Sequence, residues 1–112
     1  MPAISRHLVI EIGTDWSHDF VAVDRNGDAI NLDGYSLRMQ IRDSYRGGIV
    51  EEPALTITDA PAGHFRASLA AAETERITAA RGVYDIEAVS PSETVTRLYQ
   101  GEIFFSPEVT RS

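Results

Sequence analysis

The sequence predicts an all-β protein, an antiparallel β-sandwich of seven or eight short strands with one short connecting helix. Three observations predict it. Apolar residues alternate with polar ones at a period of two in segment after segment, the pattern of strands half-buried on a core. Turn-forming residues separate these segments at regular intervals, and only one stretch is rich in helix-forming Ala and Glu. At 112 residues the chain is long enough to close one hydrophobic core, so a single domain over 1–112 is expected, with residues 1–6 and 107–112 as flexible or docking arms.

The elements follow in chain order. Segments 7–12 and 20–23 carry short alternating patterns, and Asn26-Gly27 between apolar flanks suits a tight hairpin turn that needs positive φ. Asp33-Gly34 marks a break before the clearest strand, Tyr35 to Arg42, in which Leu37, Met39 and Ile41 take one face and Ser36, Arg38, Gln40 and Arg42 the other. Gly47-Gly48 ends that stretch. Leu55 to Thr58 and His64 to Leu69 are further strands around the loop Asp59-Ala60-Pro61-Ala62-Gly63. Ala70 to Ala80, with Ile77 as its one large apolar residue, is the helical segment, ended before Gly82. Val83 to Val89 and Val95 to Phe105 form a hairpin about Ser90-Pro91-Ser92-Glu93, with a bulge expected at Gly101.

The charge balance narrows the function. Seventeen acidic residues against 10 basic ones give a net charge of -7, and all ten cations are arginines. Without lysine there is no Schiff-base chemistry, and an acidic chain lacks the clustered cations that displace counterions from a phosphate backbone, which argues against nucleic acid as a partner. No cysteine is present, which excludes disulfides, thiolate metal sites and thiol nucleophiles. No apolar run is long enough for an export signal or a membrane span, so no membrane partner is expected.

Candidate chemistry is sparse. Asp24-Arg25-Asn26-Gly27-Asp28 places oxygen ligands as a calcium loop begins, but Ala29 and Tyr35 stand where that motif needs Gly and a bidentate Glu. His7, His18 and His64 have no metal-ligand spacing, and the carboxylates Glu51-Glu52 and Glu73 with Glu75 read as solvated charges. No serine lies in a nucleophile elbow, and no glycine loop follows a strand to cradle phosphate. The expectation is a non-enzyme with no catalytic residues, no metal and no cofactor. Two features suit protein contact instead. Arg38, Arg42 and Arg46 would form a strip able to pair bidentately with a partner's carboxylates, and Trp16, set between polar residues, would anchor an interface or cap one end of the sandwich. The remaining aromatics, Phe20, Tyr35, Tyr84, Tyr99, Phe104 and Phe105, are core candidates, and Tyr45 joins Trp16 as an exposed ring.

Three stretches carry a resemblance: Leu32-Asp33-Gly34-Tyr35 running on to Gln40-Ile41-Arg42, then Gly82-Val83-Tyr84-Asp85-Ile86-Glu87, then Val95-Thr96-Arg97-Leu98-Tyr99-Gln100-Gly101 with Ser106-Pro107-Glu108-Val109-Thr110-Arg111. Together they resemble the Ig-like N-terminal domain of phage baseplate upper proteins and its stand-alone relatives among small tailed-bacteriophage and prophage proteins. The resemblance implies an Ig-like sandwich acting as a non-enzymatic virion component that links fibres or spikes to the tail or baseplate, in many symmetric copies, made in the bacterial cytoplasm. It also implies other virion proteins as partners. The linker and oligomerising region of the baseplate protein have no counterpart here, so contacts are expected from the domain's own faces, edges and arms, Val109 and Arg111 of the closing arm included. The alternatives are a head decoration or neck protein, and a soluble domain binding carbohydrate or another small ligand.

Overall fold

A computed structural model describes residues 3–109. The elements run β1 (Ile4–Ser5), β2 (Leu8–Glu11), β3 (Trp16–Val21), β4 (Ser36–Arg42), β5 (Ile49–Glu51), β6 (Ala54–Asp59), β7 (His64–Leu69), α1 (Ala71–Thr74), β8 (Arg81–Val89) and β9 (Val95–Ser106). They form two sheets. The larger has six strands, ordered β1-β9-β8-β4-β5 with β2 also on β9, and the smaller has the order β3-β7-β6.

Seven strands from β3 onward sort between the sheets as immunoglobulin strands do: β3, β7 and β6 stand where B, E and D stand, opposite β9, β8 and β4 in the places of G, F and C. The fold is therefore an Ig-like β-sandwich. Its core lies between the sheets. Ile10, Met39, Ile41, Ile86, Ile103 and Phe105 from the larger sheet meet Phe20, Phe65, Ala67 and Leu69 from the smaller, all buried. Alternation along each strand explains this directly: β7 reads exposed His64, buried Phe65, exposed Arg66, buried Ala67. At the centre the Phe20 ring stacks on Phe65 with centroids 5.3 Å apart and meets Tyr99 at 4.8 Å, offset geometries that aromatic quadrupoles favour.

The structure departs from the sequence expectations in several places, one being β3, which begins at Trp16 and ends at Val21 where the segment 20–23 was expected. Nine strands are present among the described residues, because β1 and β5 have only 2 and 3 residues, too few for alternation to reveal. Not all pairing is antiparallel, since β1 and β2 both run parallel to β9. Parallel neighbours need a long crossover, and here nearly the whole domain serves as one. The helix spans Ala71–Thr74 rather than 70–80. Its Thr74 is fully buried, donating its hydroxyl to the Thr14 carbonyl at 2.8 Å and accepting from the Gly13 N–H at 3.0 Å. Beyond the single turn the backbone tightens into three-residue bonds, the Arg76 N–H donating to the Glu73 carbonyl and the Ile77 N–H to the Thr74 carbonyl, and Ile77 enters the core.

The bulge lies at Leu98 and not at Gly101. Ile86 pairs with Tyr99 while Glu87 pairs with Arg97, so Leu98 is the extra residue, and it and Tyr99 are consecutively buried. Gly101 serves a different need: the backbone carbonyl of Arg6 occupies the place a Cβ would take. Finally, Phe104 is not a core residue. Its neighbours Ile103 and Phe105 point inward, which forces Phe104 to the outer face of β9, 45% exposed.

Candidate protein-docking face

The outer face of the larger sheet gathers the charges that the strands alternate outward. Register sets Arg38 of β4 beside Glu87 of β8, Gln40 beside Asp85, and Arg42 beside Val83. On the other side of β8, Asp85 pairs with Gln100, Val83 with Glu102 and Arg81 with Phe104. Val9 of β2 then lies opposite Phe104. One face thus runs from arginines on β4 to a valine and a glutamate on β2.

The centre of this face is internally matched. Arg38 Nε lies 2.7 Å from Glu87 Oε1, and Arg97 Nε lies 3.6 Å from Asp85 Oδ2. Burial against the sheet pushes the Asp85 carboxyl up from its ordinary range, and the neighbouring Glu87 charge adds to this, while Arg97, Arg38 and Arg42 oppose it. Arg42 donates to the Gly47 carbonyl at 2.8 Å and to Gln40 Oε1 at 3.0 Å, which ties the β4–β5 loop to the strand. That loop projects Tyr45, 75% exposed, and its ring borders a shallow concavity of about 100 Å³ with Gln40, Arg42 and Val83. A second open concavity of about 250 Å³ lies among Arg38, Gln40, Asp85 and Glu87.

Of the residues singled out from the sequence, Arg38 and Arg42 share this face, and Arg46 is exposed on the loop beyond them. They do not form a free strip: Arg38 is paired with Glu87 of its own chain. Trp16 begins β3 in the smaller sheet, half-buried against the core and remote in topology from the arginines. Val109 is 95% exposed after β9, beside a groove of about 300 Å³ that includes Ile12 and Pro107. Arg111 lies outside the described residues. Sequence reasoning passed over Val9, Val83 and Phe104 as surface residues. The signal was there for Phe104, since adjacent aromatics in one strand must face opposite ways.

The candidate chemical groups are occupied in structural roles. Asp24, first in the calcium-like stretch, accepts hydrogen bonds from the Asn26 and Asp28 N–H groups at 2.9 and 3.1 Å and so closes its own turn, with Gly27 at φ +85°. His18 sits beside the Phe20 ring at 4.6 Å, and burial first, then the Arg6 charge, lower its pKa. His7 and His64 are exposed. Glu51 meets Arg76 at 3.5 Å, and Glu73 accepts from the Ala70 N–H at the start of α1. Among the described residues no group of three or more His, Asp or Glu is placed to hold a metal ion, and no helix is long and apolar enough to cross a membrane.

No protein-family model matches the sequence, and no curated protein matches it. Among solved structures the chain is similar to one from a crystal structure of ICOS in complex with ICOS-L and an anti ICOS-L VNAR domain, with TM-score 0.47 and 9% identity over 95% of this chain and 56% of that one. It is also similar to a family 123 glycoside hydrolase from Clostridium perfringens, with TM-score 0.37 and 12% identity over 91% of this chain and 23% of that one. The chain thus spans a little over half of the first and under a quarter of the second. The fold assignment rests on the strand order described above.

Proposed function

We infer that the chain is a non-enzymatic protein-docking module and that it serves in a tailed-bacteriophage virion as a tail- or baseplate-proximal adaptor helping to attach fibres or spikes. The observation that carries the docking reading is the outer face of the larger sheet, where exposed Tyr45, Phe104 and Val9 adjoin arginines. Exposed apolar side chains grouped on one face and rimmed by polar ones are the composition of contact surfaces, and Arg with aromatic residues dominates their energetics. The concavities there, about 100 and 250 Å³, fall below the roughly 300–1,000 Å³ of small-molecule pockets, which favours a protein partner.

The virion reading is supported by the three stretches that resemble baseplate upper proteins. They fall on or lead into β4, β8 and β9, the adjacent central strands of the larger sheet. In this reading the partners are other tail, baseplate or fibre subunits, and symmetry multiplies contacts that are individually modest.

The test is quantitative mass spectrometry of purified particles from the phage or induced prophage that encodes the chain, scaled to the major capsid protein. Abundance at the level of tail proteins is the expected result. Abundance at capsid level would move the protein to the head as a decoration or neck component, and absence from clean particles would overturn the virion reading.

A further inference from the structure

We propose that the free edge of β3 docks an extended segment of a partner protein, added to the smaller sheet as a fourth strand. This surface is separate from the outer face of the larger sheet, and the inference does not rest on the virion assignment. The Ala22 N–H donates to the Gly63 carbonyl at 2.8 Å just past the β3–β7 ladder, and antiparallel bonding alternates along a strand, so Phe20, His18 and Trp16 also turn their backbone groups to β7. Ser17, Asp19 and Val21 turn theirs away. The Val21 carbonyl shows this directly, accepting from the Tyr99 hydroxyl of β9 at 2.8 Å. β3 ends the order β3-β7-β6, so among the described residues no backbone group meets the N–H and C=O of Ser17 and Asp19 or the N–H of Val21. A row of donors and acceptors at every second residue is what one extended chain satisfies.

The other edges are guarded and this one is not. β5 has 3 residues, β1 has 2 and β2 has 4, while β6 follows Pro53 and shifts register between Ile57 and Asp59. β3 keeps six residues in unbroken register, with neither Pro nor bulge to turn a neighbour away. The larger sheet selects a single strand as the occupant over the edge of a second copy. β3 lies over β9, because the Phe20 ring meets Tyr99 at 4.8 Å, and β1 and β2 carry the larger sheet one strand spacing farther out than β9. Two copies joined β3 to β3 would drive these ledges into each other. One extended segment fits over the ledge. Side chains set its pattern: apolar residues turn inward beside half-buried Trp16 and His18, and polar ones turn outward beside exposed Ser17 and Asp19, whose charge Arg66 already matches at 2.7 Å.

The experiment is an NMR titration of the isotope-labelled full chain. The probe is a synthetic peptide of residues 63–70, whose alternation fits that pattern and whose Arg66 and Ser68 fall opposite Asp19 and Ser17 in the antiparallel register. In the free chain the Ser17, Asp19 and Val21 amides should exchange with solvent much faster than those of His18 and Phe20. With peptide up to about 5 mM, a range that resolves a millimolar Kd, the same three amides should shift and gain protection. Ser17→Pro removes one outward N–H and no bond to β7, so it should keep a cooperative melt and raise the Kd at least about tenfold, whereas Ser17→Ala should bind as the parent does. Protected Ser17 and Asp19 amides in the free chain, no shift along β3 at about 5 mM, or equal binding by a folded Ser17→Pro overturns the proposal. Should Ser17→Pro fail to fold, the exchange pattern and the peptide shifts of the parent decide the matter.

Discussion

Tyr84 shows how single side chains hold the N-terminal segment in place. Its ring is buried, and its hydroxyl donates to the Arg6 carbonyl at 2.9 Å, across 78 residues of chain. Burial raises its pKa to about 12 from 10, with the Arg6 charge opposing and Tyr99 reinforcing. A raised folded pKa means the folded state holds the proton more tightly, so this contribution to stability is complete below pH 10 and is lost as pH rises toward about 12. Tyr84→Phe removes the hydrogen bond while keeping the ring. It should cost about 1 kcal/mol, a fall in Tm of about 4–8 °C, and flatten the alkaline limb of a stability profile. An unchanged Tm and alkaline limb would mean that Arg6 is not held there. His18 works with the opposite sign. Its pKa is lowered from 6.5, by burial first and the Arg6 charge second, so its contribution is present above pH 6.5 and is lost as pH falls through the lowered value. In urea titrations at about pH 7 and pH 5, the parent should lose more stability on acidification than His18→Gln. Equal losses would remove His18 as a source of acid sensitivity.

At the scale of elements, α1 depends on what its neighbours supply. A one-turn helix is marginal alone, and here the Asp15 carboxylate accepts from the Ala71 N–H at 2.7 Å while the Glu73 carboxylate accepts from the Ala70 N–H at 2.9 Å. Thr74→Val keeps the shape but strands the Gly13 N–H and Thr14 carbonyl in a partly buried place, and it should cost about 1–3 kcal/mol by denaturant midpoint. A cost near zero would show that water or a rearranged loop replaces the hydroxyl. None of this was legible in the sequence, where 70–80 reads as one helical run, because the bonds that anchor the turn at Thr74 reach across about sixty residues. The strands were far more legible. β7 lies where alternation puts it, at His64–Leu69, and β4 differs by one residue, since a strand's pattern is set by which of its own side chains face the core. The same local logic misplaced the bulge, because a glycine in a strand marks either extra length or a close neighbour, and only the fold brings Arg6 to Gly101. As for the face, the alternation of Arg38 and Arg42 was visible, but Val9 and Phe104 met only through parallel pairing of the two ends of the chain.

That meeting of ends governs the whole molecule, which measures 44 × 28 × 21 Å. β9 would be an edge of the larger sheet if β1 and β2 did not cover it, and an open edge invites pairing with other chains. β2 also contributes Leu8 and Ile10 to the core, both buried. Removing residues 1–7 takes away β1 and the acceptor of Tyr84 but leaves those two side chains, so that variant should still unfold cooperatively at a lower temperature. Removing residues 1–11 is a different lesion. Losing two buried aliphatic side chains at about 2–5 kcal/mol each approaches the whole stability of a typical domain, about 5–15 kcal/mol, and it bares β9 at the same time. The longer deletion should therefore give no cooperative thermal transition and should aggregate, as read by circular dichroism melting and light scattering. Should it instead melt cooperatively near the parent, the seven strands from β3 to β9 would be a self-sufficient sandwich and the N-terminal strands a dispensable cover.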